Sequence, residues 1–151
     1  MNTVSTIKTK ILGTGNDSTT IIIRIVVGLI FISEGILKYM QIQWLGPGRF
    51  TELGFTHPFF WAYFTGAFEI VCGTLVLFGL FTRLAFVPLM IIMLTALVTT
   101  KLPLIDTSGI WTFIHEYTTD FALTLLLILL FIRGSGKWSV DRMITRQFYD
   151  H

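Results

Sequence analysis

Apolar residues gather into four blocks along the chain, at about residues 20–40, 59–81, 84–100 and 117–132, separated by stretches rich in Gly, Pro, Thr and charge. Each is long enough, or nearly so, to cross a hydrocarbon core about 30 Å thick at about 1.5 Å per helical residue. None alternates apolar and polar residues as a barrel strand in a membrane does. A span in lipid must satisfy its own backbone hydrogen bonds, so each block is predicted to be a helix. The expectation is an all-α transmembrane four-helix bundle running up-down-up-down, over residues 19–133. Residues 1–18 are polar and read as a flexible cytoplasmic leader. Residues 134–151 read as a cytoplasmic tail, with 139–146 as an amphipathic helix whose basic residues turn toward anionic headgroups.

The connections carry their own signals. In residues 41–58, Gly46-Pro47-Gly48 marks a turn, RFTELGF can form one interfacial helical turn, and Pro58 precedes the second helix. Trp44, Phe50, Phe55, Phe59, Phe60, Trp61 and Tyr63 supply an aromatic belt at headgroup level. GLFTR at 79–83 predicts a tight turn between the second and third helices. Pro88 falls early in the third helix, where it is tolerable, and Pro103 is expected to stop that helix. Residues 103–113 then form a second loop, and His115, Glu116 and Asp120 open the fourth helix, where the macrodipole favours acidic residues.

Composition agrees with a membrane protein: 53% hydrophobic residues against 13% charged in 151 residues. Of 11 Lys and Arg, Lys8, Lys10, Arg24, Arg83, Arg133, Lys137, Arg142 and Arg146 fall at one side of the spans, and Lys38, Arg49 and Lys101 at the other. The positive-inside rule then makes both termini cytoplasmic. The Thr-rich start shows no small-residue cleavage site, so the first apolar block is expected to act as its own insertion signal. One cysteine, Cys72, excludes an internal disulfide or a CxxC redox pair and reads as a packing residue. Nucleic-acid binding has no basic, aromatic-interleaved block to support it.

Polar residues inside the blocks set the chemistry. On a helix Arg24, Gly28, Phe31, Glu34, Gly35 and Lys38 share an arc of roughly 120°. Charge in hydrocarbon normally turns inward to a partner or a wet cavity. In the second helix Ala62, Gly66, Glu69 and Gly73 share a face, and small residues at that spacing let backbones approach closely. Glu69 lies about 15 Å from Phe59 on helical rise, near the midplane, so it is either neutral or beside a cation. Up-down topology brings Glu34, Lys38, Glu69, Thr99, Lys101, His115, Glu116 and Asp120 into the outer half as a candidate polar pocket, and leaves the inner half nearly featureless. Against this, Glu34 and Lys38 are an i,i+4 pair in the favourable order that can neutralise itself. The His115 group can equally be a capped helix start, and it does not converge as zinc ligands do, so no metal is assigned. No pair of membrane-embedded histidines exists to hold a haem.

Two spaced motifs, R-x3-G-x2-F-x2-E-G-x2-K from Arg24 to Lys38 and FE-x3-G-x5-GL-x-TR-x-A from Phe68 to Ala85, resemble the DoxX family of small four-helix membrane proteins. GPGRF at 46–50, TTKLP at 99–103, HEYTTDF at 115–121 and GSGKWSVD at 134–141 continue the resemblance over about residues 20–145. One departure is Thr118, where the family pattern leads us to expect Arg. If that Arg balances the acidic cluster, Lys38 or Lys101 must do so here. The resemblance implies a multi-pass protein of the bacterial inner membrane, linked to membrane oxidoreductase assemblies, with no agreed catalytic residues to carry over.

Two readings of function follow. The first is a quinone- or small-molecule-interacting membrane subunit of a redox system, with the outer pocket as its site. The sequence carries no redox centre, so quinone or redox partner proteins must supply the electron chemistry. The alternative is a non-catalytic scaffold or a small-solute carrier, the latter disfavoured by an apolar inner half.

Overall fold

The computed structural model describes residues 19–136 and 138–149, of which 145–149 are described in backbone only. The leader (1–18), Lys137 and the last residues of the tail lie outside the described residues. In order the elements are α1 (Thr20–Met40), α2 (Pro47–Glu52), α3 (Pro58–Phe78), α4 (Thr82–Ala96), a π-helical turn (Leu97–Lys101), α5 (Pro103–Ser108), α6 (Ile110–Arg133) and α7 (Val140–Tyr149). The described residues contain no strand, and four helical spans are long and apolar enough to cross a membrane: α1, α3, Thr82–Ser108 and α6. Large apolar side chains stay exposed around them, such as Ile22, Leu29, Phe60, Leu84, Ile91 and Phe131. Helices apolar on both their inner and outer faces fit a lipid surround.

The direction of each helix follows from who touches whom. Gly28 lies against Gly73 and Gly35 against Gly66, so numbers rise on α1 as they fall on α3, and the two are antiparallel. The same holds for α4 and α6, where Phe86 stacks on Phe131 with ring centroids 4.5 Å apart and Lys101 meets Glu116 near the other end. Neighbours pack in a ring, α1 on α3, α3 on α4, α4 on α6 and α6 on α1. Val27, Phe31, Cys72, Val76, Leu89, Leu127 and Leu130 fill its centre.

The α1–α3 seam is the tightest part of the bundle because it has no side chains at its crossings. A Cβ on Gly28 would lie 2.9 Å from the Gly73 carbonyl oxygen, and one on Gly35 2.7 Å from that of Gly66. Small residues replace the missing hydrophobic drive between helices in lipid with close backbone packing.

The structure departs from expectation at the second connection. Pro103 does not stop the third span, which continues as α5 to Ser108. Proline lacks an N–H, and its ring crowds the carbonyl four residues back, here Thr99. The wider π turn before it absorbs that crowding: the Leu102 N–H reaches five residues back to the Leu97 carbonyl at 2.9 Å. Thr95 and Thr99 donate their hydroxyls to the carbonyls of Ile91 and Thr95, a geometry that bends helices. The expected loop at 103–113 is therefore mostly helix, broken only at Gly109, whose φ of +83° reverses the chain into α6. Because α6 begins at Ile110, His115, Glu116 and Asp120 lie inside it and not at its start. The second helix also ends earlier than expected, at Phe78, since Gly79 (φ +68°) and Phe81 (φ +47°) turn the chain there. α2 and α7 form where an interfacial turn and a tail helix were expected.

Candidate functional site

The Gly35–Gly66 crossing places the first polar centre. Lys38 lies one turn beyond Gly35 on α1 and Glu69 one turn beyond Gly66 on α3, so close backbones bring long polar side chains together. Lys38 Nζ donates to Glu69 Oε2 at 2.6 Å, with the side chains 13% and 4% exposed respectively. Of the two conditions that its depth allowed, neutral or beside a cation, Glu69 has the cationic neighbour. Lys38 turns to Glu69 and away from the i,i+4 pairing with Glu34. Glu34 is half-buried on the same face, and its carboxylate repels that of Glu69. Beside the pair Tyr39 and Tyr63 stack with centroids 5.0 Å apart and planes 5° from parallel, and the Tyr39 hydroxyl donates to the Tyr63 carbonyl at 2.7 Å. Sequence reading placed Tyr63 only in the aromatic belt and gave Tyr39 no role. Tyr39 lies against Gly66, and nothing local in the sequence pairs the two rings.

A second centre forms between the π turn and α6. Lys101 Nζ donates to the Glu116 carbonyl oxygen at 3.1 Å and lies 3.4 Å from Glu116 Oε2 and 3.6 Å from Asp120 Oδ2. Lys101 is the cation that answers the acidic residues around Thr118. Of the remaining candidates, the Thr99 hydroxyl is turned to Thr95 and His115 is exposed on α6. The eight candidates therefore resolve into an α1–α3 pair flanked by Glu34 and a separate Lys101 centre. Among the described residues no group of three or more His, Cys, Asp and Glu gathers as metal ligands would.

The opposite end of the bundle is not featureless, contrary to expectation. Arg24 is only 3% exposed, and its guanidinium donates from Nη1 to the Ser135 carbonyl and from Nη2 to the Trp138 carbonyl, both at 2.6 Å. Asp141, buried in the first turn of α7, accepts from the Phe81 backbone N–H at 2.8 Å, and its own N–H donates to the Gly79 carbonyl at 3.1 Å. This clasp fastens the chain after α6 to both α1 and the α3–α4 turn. Burial pushes the Asp141 carboxyl above the ordinary carboxylate range, against hydrogen bonds from Phe81 and Thr82 and the charge of Arg24. The signal in the sequence was GLFTR and GSGKWSVD, two motifs distant along the chain that only the fold brings together. Gly79→Ala is expected to loosen the clasp by about 2 kcal/mol. Its Cβ would collide with the Arg24 guanidinium and lie 2.7 Å from Ser139 Cβ, at a φ that side chains resist. Denaturant unfolding in detergent measures the loss, and faster amide exchange at 79–83 and 140–144 locates it.

These features meet a family pattern. The DoxX family model matches residues 19–102, more than half of the chain. The chain belongs to the DoxX family. It is 47% identical over 133 residues to "Uncharacterized membrane protein Rv3486" of Mycobacterium tuberculosis, covering 84% of this chain and 82% of that protein. It is 30% identical over 129 residues to "Putative oxidoreductase CatD" of Bacillus subtilis, covering 83% and 86%. No solved structure matches the chain. This DoxX protein is thus a multi-pass membrane protein. The clasp motif at 134–141 lies beyond the stretch matched by the family model.

Proposed function

We propose that this DoxX protein is a quinone- or small-molecule-interacting membrane subunit of a redox system, seated in a bacterial inner membrane with both termini cytoplasmic. The observation that carries the reading is the buried Lys38–Glu69 pair. An ammonium has three donor hydrogens, and only the bond to Glu69 is made by this one among the described residues. Two donors remain for the carbonyl oxygens of a polar head group. Glu69 lies behind Lys38 as an acceptor for a proton, and the parallel Tyr39–Tyr63 rings offer a flat neighbour to a planar ligand. The chain brings no redox centre, so a quinone would carry the electrons while the protein binds and orients it. The name of the Bacillus subtilis relative points the same way.

The scaffold reading has one observation in its favour: at 2.6 Å the two charges satisfy each other. Native mass spectrometry of the detergent-extracted protein, with identification of retained small molecules, separates the readings. Wild type is expected to retain a quinone or another defined polar-headed molecule that Glu69→Gln loses, with Glu34→Gln weaker in effect. Ordinary phospholipids alone, unchanged across the three proteins, would sink the redox-subunit reading and leave a scaffold.

A further inference from the structure

We infer that Glu34 makes the Lys38–Glu69 site select the reduced, dihydroxy form of a quinone head group over its oxidised, dicarbonyl form; the inference rests on the reading of that site proposed above. Its ground is an acceptor left without a donor. Glu34 lies about 9 Å of helical rise inside the Met40 end of α1. It is half-buried, and among the described residues its carboxylate has neither a hydrogen bond nor an ion pair. Lys38, one turn on, is committed to Glu69 at 2.6 Å, and the Glu69 carboxylate repels that of Glu34. A charge inside a membrane span normally faces a partner, a wet cavity or a ligand path.

Glu34 can also be reached. On α1 its stripe runs toward the Arg24 end through Phe31 and Val27, both buried in the core. Beyond Met93 in the third span, and before Leu123 in α6, no described residue is buried. The core is therefore closed on the Arg24 side of Glu34 and open on the Lys38 side. A carboxylate only accepts hydrogen bonds and an ammonium only donates them, whereas a hydroxyl does both. One ring hydroxyl can give its hydrogen to Glu34 and accept one from Lys38 Nζ. A quinone carbonyl can use Lys38 but has nothing to give Glu34, and its lone pairs meet a carboxylate of like polarity. Glu34 thus rejects an acceptor as well as holding a donor. A site built to hydrogen-bond a hydroxyl discriminates against the analogue that lacks it, because its own polar group is then left unpaired.

The test is anaerobic titration of the full chain in detergent with decylubiquinol, decylubiquinone and the dimethyl ether of the quinol, read by native mass spectrometry and by melting temperature. Wild type is expected to bind the quinol at least about tenfold more tightly than either of the others, the least that one hydrogen bond to a charged group supplies. Glu34→Leu is expected to bring that ratio near one, and Glu34→Gln, which keeps a neutral acceptor, to lower it part-way. Both variants are expected to melt no earlier than wild type, since each removes a carboxylate that repels Glu69. Quinone bound by wild type as tightly as quinol overturns the inference, as does a preference that survives Glu34→Leu; either result leaves the Lys38–Glu69 reading standing. Binding of neither form by wild type removes that reading, and this inference with it.

Discussion

Lys38→Met is expected to destabilise the bundle by about 3 kcal/mol, the range seen when one partner of a buried ion pair is removed. The reason lies in what remains. Glu69 would keep its place on a glycine-lined seam, 4% exposed, with the repelling Glu34 still on the facing helix. Methionine fills much the same volume as the lysine stem, so packing changes little and the loss reports the missing charge. The Lys38→Met/Glu69→Gln double variant is expected to recover most of that stability, because two neutral side chains need no compensation. Unfolding of wild type, Lys38→Met, Glu69→Gln and the double variant in mixed micelles gives the coupling energy directly. A single variant as stable as wild type would show that the pair is not held as tightly as its 2.6 Å contact indicates. The double variant also does something the single cannot: it offers a stable bundle with no ion pair, in which loss of a retained ligand is a binding effect and not a folding one.

How much of this was legible in the sequence depended on whether the cause was local. The inward arc of α1 and the small-residue face of α3 were read correctly because helical periodicity alone sets them, and Arg24, Gly28, Phe31, Gly35, Gly66, Glu69 and Gly73 are all buried. Depth left Glu69 either neutral or beside a cation; that Lys38 is its neighbour was not legible, since Glu34 competed for Lys38 at i,i+4 and only the register of the two glycine crossings decides. Pro103 misled because a proline normally ends a helix, and the π turn that lets this span continue has no signature of its own beyond a Thr pair. The two clasp motifs were legible but their meeting was not, because the members come from three places, near residues 24, 80 and 138. Arg24 was read on the inward arc and in the positive-inside count, but not as the donor that fixes two carbonyls.

The same contrast shows how the two ends of the bundle differ. At the Lys38 end lie the Lys38–Glu69 pair, whose lysine is 13% exposed, and the Lys101 centre with Glu116 and Asp120. At the Arg24 end the polar groups are sealed among backbone carbonyls, and Ser135, Ser139 and Asp141 are each 2% exposed or less. A small solute crossing the bundle would have to break the clasp, so the carrier reading loses support for a reason other than an apolar inner half. One end is built to present polar groups and the other to hold the helices together.

Gly35→Ala tests whether seam and site are one mechanical unit. The added Cβ would lie 2.7 Å from both the Gly66 carbonyl oxygen and Ile70 Cγ1, and the backbone oxygen cannot move aside without moving α3. Overpacking of this kind costs about 1–3 kcal/mol, and here relief comes only by separating α1 from α3. Lys38 is three residues from Gly35 and Glu69 three from Gly66, so separation at the crossing lengthens the ion pair next to it. The expected outcome is therefore double: a lower melting temperature in detergent, and loss of whatever small molecule wild type retains by native mass spectrometry. Ile36→Ala is the control, since Ile36 is 43% exposed on the outer face of the same turn and its truncation is expected to leave both readings nearly unchanged. A Gly35→Ala protein that melts early yet keeps its ligand would separate packing from binding and place the ligand away from Lys38. One that loses both ties the Lys38–Glu69 geometry to the missing side chains of the seam.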